Sequence, residues 1–125
     1  MLYKIDARYE PDYLYVQVSG IRFAEDEIFL IKDILQAGEK HNCKKLLVDA
    51  RSMSGKLSLI DYYQLGEEAP DKIGGIHSEY KTAIVDLEEN RERFRFVEDV
   101  LVNRLFNLRF FSNTVDAERW LRQSK

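Results

Sequence analysis

The sequence predicts one α/β domain, a single-layer mixed β-sheet with helices packed on it. The chain has 125 residues, an ordinary length for one domain. Two segments near the N-terminus alternate apolar and polar residues, which is typical of half-buried strands. Further along, short apolar runs alternate with stretches of helical periodicity, as in sheets whose parallel strands are joined by helices. The predicted order is ββαβαβαβα, and we expect a single domain over residues 1–125.

The first two strands are predicted to form a hairpin. Residues 2–8 alternate in polarity, and residues 13–19 are rich in aromatic and β-branched side chains. Pro11 and Asp12 favour a turn between them, and so short a connection requires antiparallel strands. An unpaired strand at the edge of such a hairpin invites pairing with a second copy of the chain, so a homodimer is one expectation.

A helix and a buried strand are predicted next. Apolar residues recur at helical spacing over residues 24–41, with acidic side chains in the first turn and Lys40 and His41 in the last. The apolar run over residues 45–49 predicts a buried parallel strand, and residues 50–57 are predicted to form a loop.

The second helix is predicted to begin at Ser58, because Ser58 and Asp61 have the spacing of a capping box. Pro70 is predicted to end it, since proline lacks the N–H that a helix interior needs. A loop over residues 71–79 and a buried strand over residues 80–86 follow.

The last third of the chain predicts a helix, a strand and a closing helix. Glu89 or Asn90 is expected to cap the third helix, and Asn107 is expected to end it in a left-handed conformation. A short strand covers residues 108–112. The closing helix begins at Asn113 or Thr114 and docks through apolar residues, which are Ala117, Trp120 and Leu121.

Composition narrows the classes of function. With 19 basic and 22 acidic side chains the formal charge is −3, so the chain lacks the basic excess that a non-specific nucleic-acid binder needs. A single cysteine, Cys43, excludes an intrachain disulfide and suits a reducing compartment. No apolar run approaches the roughly 20 residues of a membrane span. We expect a cytoplasmic protein that binds neither nucleic acid nor membrane.

No motif in the sequence identifies an enzyme active site. His41 and His77 have no cysteine or histidine at metal-ligand spacing, and the glycine patterns of dinucleotide and P-loop sites are absent. Asp49 and Asp86 each end a predicted strand and could share a divalent cation if those strands are neighbours. The simpler alternative is that each accepts hydrogen bonds from its own following turn. We therefore predict no catalytic residues, metal or cofactor.

Three segments together resemble a known superfamily. They are residues 13–20, a strand ending in glycine; residues 45–51 followed by Gly55; and residues 110–112 with the closing helix. This order is similar to the STAS superfamily, the fold of bacterial anti-sigma-factor antagonists, and especially to its divergent STAS-like branch. The resemblance implies a non-enzymatic regulatory module. It also implies a protein partner, such as a kinase or an anti-sigma-like regulator.

The resemblance also implies candidate site residues. In that family the loop after the central strand leads into a helix whose first residues include a phosphorylated serine or threonine, and the added charge releases the partner. The matching stretch is residues 52–58, so Ser54 and Ser58 are candidate phosphorylation sites, with Asp49 and Arg51 as further partner-binding candidates. The stretch departs from the family pattern, because no aspartate directly precedes the serines and the glycine spacing differs.

An alternative function follows from the similar shape of the CRAL-TRIO lipid-binding fold. A small-molecule or lipid binder would need a pocket between the sheet and the helix at residues 59–68. Tyr62 and Tyr63 would line that pocket. Ligand pockets are typically at least roughly 300 Å³, so the volume of any such cavity tests this alternative.

Overall fold

A five-stranded mixed sheet forms the centre of the computed structural model, which describes residues 2–73, 79–102 and 107–123. The strands lie side by side in chain order, with the first pair antiparallel and the others parallel. They are β1 (Tyr3–Glu10), β2 (Tyr13–Ile21), β3 (Lys45–Ser54), β4 (Lys81–Val85) and β5 (Asn107–Phe111).

Four helices connect and follow these strands. They are α1 (Glu27–Lys40), α2 (Leu59–Ile73), α3 (Arg91–Val102) and α4 (Thr114–Arg122). Short 3-10 turns over Ala24–Asp26 and Glu88–Asn90 lead into α1 and α3. The order confirms the predicted ββαβαβαβα arrangement. None of the helices in the described ranges is both long and apolar enough to cross a membrane.

The sheet separates two cores, because successive side chains of a strand point to opposite faces. On one face Leu46 and Val48 of β3 join the larger core, which packs mainly against α1. On the other face Leu47 packs with the buried Ala117 and Leu121 of α4. Helices α2 and α3 lie on the α1 side, so α4 is the only described helix on the opposite face. There it covers Tyr13 at the start of β2, whereas Lys4, Asp6 and Arg8 of β1 stay exposed.

Strand β3 is longer than predicted. Gln17 of β2 pairs with Asp49, whereas Ser19 pairs with Ser52, so β3 contains one extra residue and forms a bulge. Pairing then continues to Ser54. The predicted loop over residues 50–57 is therefore wrong for residues 50–54, because a bulge absorbs the irregular pattern without ending the strand.

Two predicted helix ends are also wrong. Helix α2 continues through Pro70 to Ile73, because Ala69 is completely buried and Ile73 packs against the core. That burial offsets the hydrogen bond that a proline cannot donate. Asn107 begins β5 opposite Lys81 and has no left-handed backbone, which is instead found at Asn42 after α1.

Candidate functional site

A buried ion pair joins the connections that leave the sheet at the carboxyl ends of the parallel strands. Arg22, between β2 and α1, donates from Nη2 to Oδ2 of Asp86 at 2.7 Å. The two side chains are only 12% and 7% exposed. Asp86 Oδ1 also accepts from the Leu87 N–H at 2.7 Å, and the Arg22 N–H donates to the Ser54 carbonyl at 2.9 Å. The pair thus ties the ends of β2, β3 and β4 together.

Two more titratable groups lie beside this pair. Glu27, the first residue of α1, is buried, and burial raises the pKa of its carboxyl although the Arg22 charge opposes the shift. Burial also raises the pKa of the Tyr62 hydroxyl, again with Arg22 acting in the opposite direction. Neither Arg22 nor Glu27 belongs to a motif, so neither was predictable as a site residue from the sequence.

A small apolar cavity lies beneath this network, between the sheet and the helices of the α1 side. Its volume is about 140 Å³, and Arg22, Glu27 and Tyr62 line it together with core side chains such as Leu30. Tyr63 does not line it; this side chain is 53% exposed, and its ring centroid lies 6.4 Å from that of Phe96. Adjacent helical residues point about 100° apart, so the two tyrosines cannot both face the sheet.

Asp49 lies on the α4 side of the sheet and is engaged within the protein. Arg51 donates to its carboxylate from Nε at 2.9 Å and from Nη2 at 2.8 Å, and the Arg51 backbone N–H donates at 3.1 Å. The Tyr15 hydroxyl also donates to Asp49. Burial alone would raise the pKa of Asp49, but hydrogen bonds from Arg51 and Tyr15 outweigh it, and the pKa lies below its ordinary value.

Asp49 and Asp86 therefore do not form a shared site. Asp49 contacts Tyr15 on the α4 side, whereas Asp86 contacts Arg22, which lines the cavity on the α1 side. Each carboxylate accepts a hydrogen bond from a following backbone amide, the simpler role that the sequence suggested. Among the described residues no group of three or more potential metal ligands occurs.

The two candidate serines lie at the junction of β3 and α2, and both are exposed. Ser54 ends β3, and its hydroxyl donates to the Gly20 carbonyl at 3.2 Å. Ser58 and Asp61 form the predicted capping box. The Ser58 N–H donates to Asp61 Oδ2 at 3.0 Å, and the Asp61 N–H donates to Ser58 Oγ at 3.1 Å.

Large apolar side chains are exposed around this junction. Leu59, Ile60 and Tyr63 lie on the first turns of α2, and Ile60 is 69% exposed. Ile21 at the end of β2, Phe23 after it and Leu87 after β4 are also exposed at the same end of the sheet. We call this set the end patch; it consists of Ile21, Phe23, Leu59, Ile60, Tyr63 and Leu87.

A second depression lies at the β5 edge of the sheet, between α3, β5 and α4. It has a volume of about 510 Å³, and arginines from all three elements line it, which are Arg91, Arg95, Arg109 and Arg119. Glu98 and Asp116 line the same groove, and Arg91 pairs with Glu88 at 2.7 Å. The groove therefore carries both signs of charge.

Comparison with known proteins identifies the fold. No protein-family model matches the chain, and no curated protein sequence matches it significantly. The chain is similar to the crystal structure of an anti-sigma factor antagonist from Mycobacterium paratuberculosis. The TM-score is 0.56 at 15% identity, over 97% of this chain and 95% of that one. It is also similar to an uncharacterized protein from the DUF3478 family of Shewanella loihica PV-4, described as having a SpoIIAA-like fold. Here the TM-score is 0.55 at 24% identity, over 95% and 93% of the two chains.

These likenesses establish a class of structure. The chain has the STAS-like α/β fold, which confirms the resemblance inferred from its sequence at the level of the fold.

Proposed function

We propose that this chain is a non-enzymatic regulatory module that binds a protein partner through the end patch. The observation that carries the proposal is that six large apolar side chains are exposed on elements that meet at one end of the sheet, three of them on the first turns of α2. Single exposed apolar residues are common on soluble proteins, but a grouped set is typical of interaction sites. One of the similar structures is itself named as an anti-sigma factor antagonist, which supports a regulatory role and a regulator or kinase as partner.

Ser58 is well placed to switch such an interaction. It lies directly before Leu59 and Ile60, and its hydroxyl accepts the hydrogen bond that caps α2. A phosphate there would add a charge of about −1.5 to −2 beside the apolar surface. It would also face the Asp61 carboxylate, whose capping contact with Ser58 it would disturb. We propose phosphorylation of Ser58, or of Ser54 at the end of β3, as the step that releases the partner.

Asp49 and Arg51 have a supporting role in this proposal. Their paired side chains hold the part of β3 from which the Ser54–Ser58 connection emerges. Because the Asp49 carboxylate is buried and already accepts four hydrogen bonds, the partner is not expected to contact it. The proposed setting is the bacterial cytoplasm.

Photo-crosslinking in cells of the native source tests the site. A photoreactive phenylalanine analogue replaces Ile60 in one variant and Val115 in another. Val115 is a matched control, because it is apolar, 63% exposed and carried by α4 on the other side of the sheet. The proposal expects one discrete protein adduct from position 60 and none from position 115. Equal adducts from both positions, or none from position 60, would refute the end patch as the docking site.

The captured partner then allows a test of the switch. Binding of the purified partner is measured for Ser58→Glu, Ser58→Ala and Ser54→Glu. We expect binding to weaken at least about tenfold in the glutamate variant of whichever serine is phosphorylated. Ser58→Ala should bind nearly normally once its folding is verified. Unchanged binding for both glutamate variants would rule out these serines as the switch.

A lipid or other large apolar ligand is not supported as a second function. The cavity lined by Tyr62 has a volume of about 140 Å³. That is less than half of the roughly 300 Å³ at which ligand pockets begin.

A further inference from the structure

Strand β1 has a free edge within the part of the chain that the structure describes. It is the first strand of the sheet and pairs only with β2 among residues 2–73, 79–102 and 107–123. The Ile21 N–H donates to the Leu2 carbonyl at 2.8 Å, and bonding alternates along an antiparallel strand, so the even-numbered residues of β1 bond to β2. The N–H and C=O groups of the odd-numbered residues therefore face outward. These residues are Tyr3, Ile5, Ala7 and Tyr9.

The side chains of β1 alternate in charge along one face. Lys4, Asp6, Arg8 and Glu10 lie on the face opposite α1, and their signs run plus, minus, plus, minus. The first three are exposed, and Glu10 is half-buried and accepts from Arg8 Nε of its own chain at 2.8 Å. The guanidinium of Arg8 lies 4.4 Å from the centre of the Tyr15 ring, which shows that Arg8 is on the same face as Tyr15. The opposite face carries the odd-numbered apolar residues, including Tyr9, whose side chain is 66% exposed.

We propose that two copies of the chain pair antiparallel through β1, with the twofold axis at Ala7. Ala7 then lies opposite its own copy, and Ile5 lies opposite Tyr9. The outward groups of these residues form about six backbone hydrogen bonds between the copies. On the charged face Lys4 lies opposite Glu10, and Asp6 lies opposite Arg8. Every charged side chain of the strand thus faces one of opposite sign, twice per dimer.

The charge pattern selects this register over its neighbours. Only shifts by two residues keep the outward backbone groups paired, because the odd-numbered residues must lie opposite one another. One such shift places Asp6 opposite Asp6 and Lys4 opposite Arg8. The other places Arg8 opposite Arg8 and Asp6 opposite Glu10. Directly opposed like charges destabilise an antiparallel pair, whereas opposed unlike charges stabilise it.

Charged side chains on an edge strand usually protect it from pairing. Charges that only protect the edge and charges that pair two copies predict different effects of a charge swap on dimerisation. Asp6→Arg alone or Arg8→Asp alone places like charges opposite each other at two points of the dimer. The double variant Asp6→Arg/Arg8→Asp restores opposite charges at both points. Because one strand pair is a small interface and its ion pairs are exposed, the dimer is expected to be weak and to dissociate at high salt.

Sedimentation equilibrium over a wide concentration range provides the first measurement. We expect the wild-type chain to dimerise and each single variant to dimerise about tenfold or more weakly. The double variant should recover most of the wild-type affinity. Circular dichroism and thermal unfolding verify that every variant is folded. A wild-type chain that stays monomeric, or a double variant as weak as the single ones, would overturn the proposal.

Disulfide trapping tests the register in a Cys43→Ala background. Residues opposed in a hydrogen-bonded antiparallel pair have Cα atoms about 5.5 Å apart, within the range of a disulfide. Ala7→Cys is therefore expected to crosslink under mild oxidation. Ile5→Cys is the matched control, because it lies about 14 Å from its own copy in this register. Efficient crosslinking through Asp6→Cys or Ile5→Cys instead of Ala7→Cys would exclude the proposed register.

Discussion

The buried ion pair between Arg22 and Asp86 should contribute strongly to the stability of the end of the sheet that carries the candidate site. Replacing Asp86 by alanine removes the carboxylate that accepts from Arg22 Nη2 at 2.7 Å and from the Leu87 N–H. The guanidinium then stays in a place where its side chain is only 12% exposed. The electrostatic interaction between Arg22 and the Glu27 carboxyl remains.

The expected loss follows from the cost of an uncompensated buried charge. Removing one partner of a buried pair typically costs about 3–5 kcal/mol, whereas an exposed pair contributes about 0–1 kcal/mol. Because Glu27 offsets part of the Arg22 charge, we expect the lower part of that range, about 3 kcal/mol, for Asp86→Ala. That is a large fraction of the about 5–15 kcal/mol that stabilises an ordinary domain.

Urea unfolding at neutral pH measures this loss of stability, and a double-mutant cycle shows how much of it comes from the interaction between Arg22 and Asp86. Arg22→Met/Asp86→Ala removes both charges, so it should be less destabilised than Asp86→Ala alone. A loss below about 1 kcal/mol for Asp86→Ala would show that the pair behaves as an exposed one. A double variant that loses the sum of the two single effects would show that the side chains are not coupled.

Four further outcomes are expected in unfolding experiments. Burial raises the pKa of Glu27, so the neutral carboxyl favours the folded state and this contribution to stability is lost as the pH rises through the raised pKa. Glu27→Gln should therefore stabilise the protein at neutral pH but not in acid. Hydrogen bonds hold the pKa of Asp49 below its ordinary value, so the charged carboxylate favours the folded state and this contribution is lost as the pH falls through the lowered pKa. In Asp49→Asn the free energy of unfolding should therefore depend less on pH in the acid range. Ser58→Ala should cost about 0.5–2 kcal/mol through loss of the helix cap. Gly20→Ala should destabilise the β1–β2 hairpin, because its Cβ would lie 2.1 Å from the Leu2 carbonyl oxygen at a φ of +125°.

The order of strands and helices was predictable because each element carries its own periodicity. Hairpin alternation and the helical spacing of α1 needed no knowledge of distant contacts. The end of β3 was not predictable in this way. The bulge after Asp49 shifts the side-chain alternation, so Met53 is buried where an uninterrupted period of two would bury Ser52. The continuation of α2 past Pro70 likewise depends on tertiary burial.

The candidate site likewise contains features that local sequence predicts and features that depend on tertiary contacts. The capping box was predictable because Ser58 and Asp61 are three residues apart and interact locally. The pair of Arg22 and Asp86 was not, because 64 positions separate the two residues and only the sheet brings them together. Tyr62 and Tyr63 were equally plausible pocket residues by composition. The rotation of α2 on the sheet places only Tyr62 at the cavity.

The two proposed surfaces can be related by geometry. The end patch lies at the carboxyl ends of the parallel strands, and antiparallel pairing of two β1 strands also sets the remaining strands of the two copies antiparallel. The two end patches of a dimer would therefore point in opposite directions along the strands. Such a dimer bridges two partner molecules and gives no avidity toward one compact partner, because a single small protein cannot reach both patches. The affinity of each patch for the partner should then be the same in the wild-type chain and in Asp6→Arg. A complex that loses affinity when the dimer is disrupted would show that the partner contacts both copies.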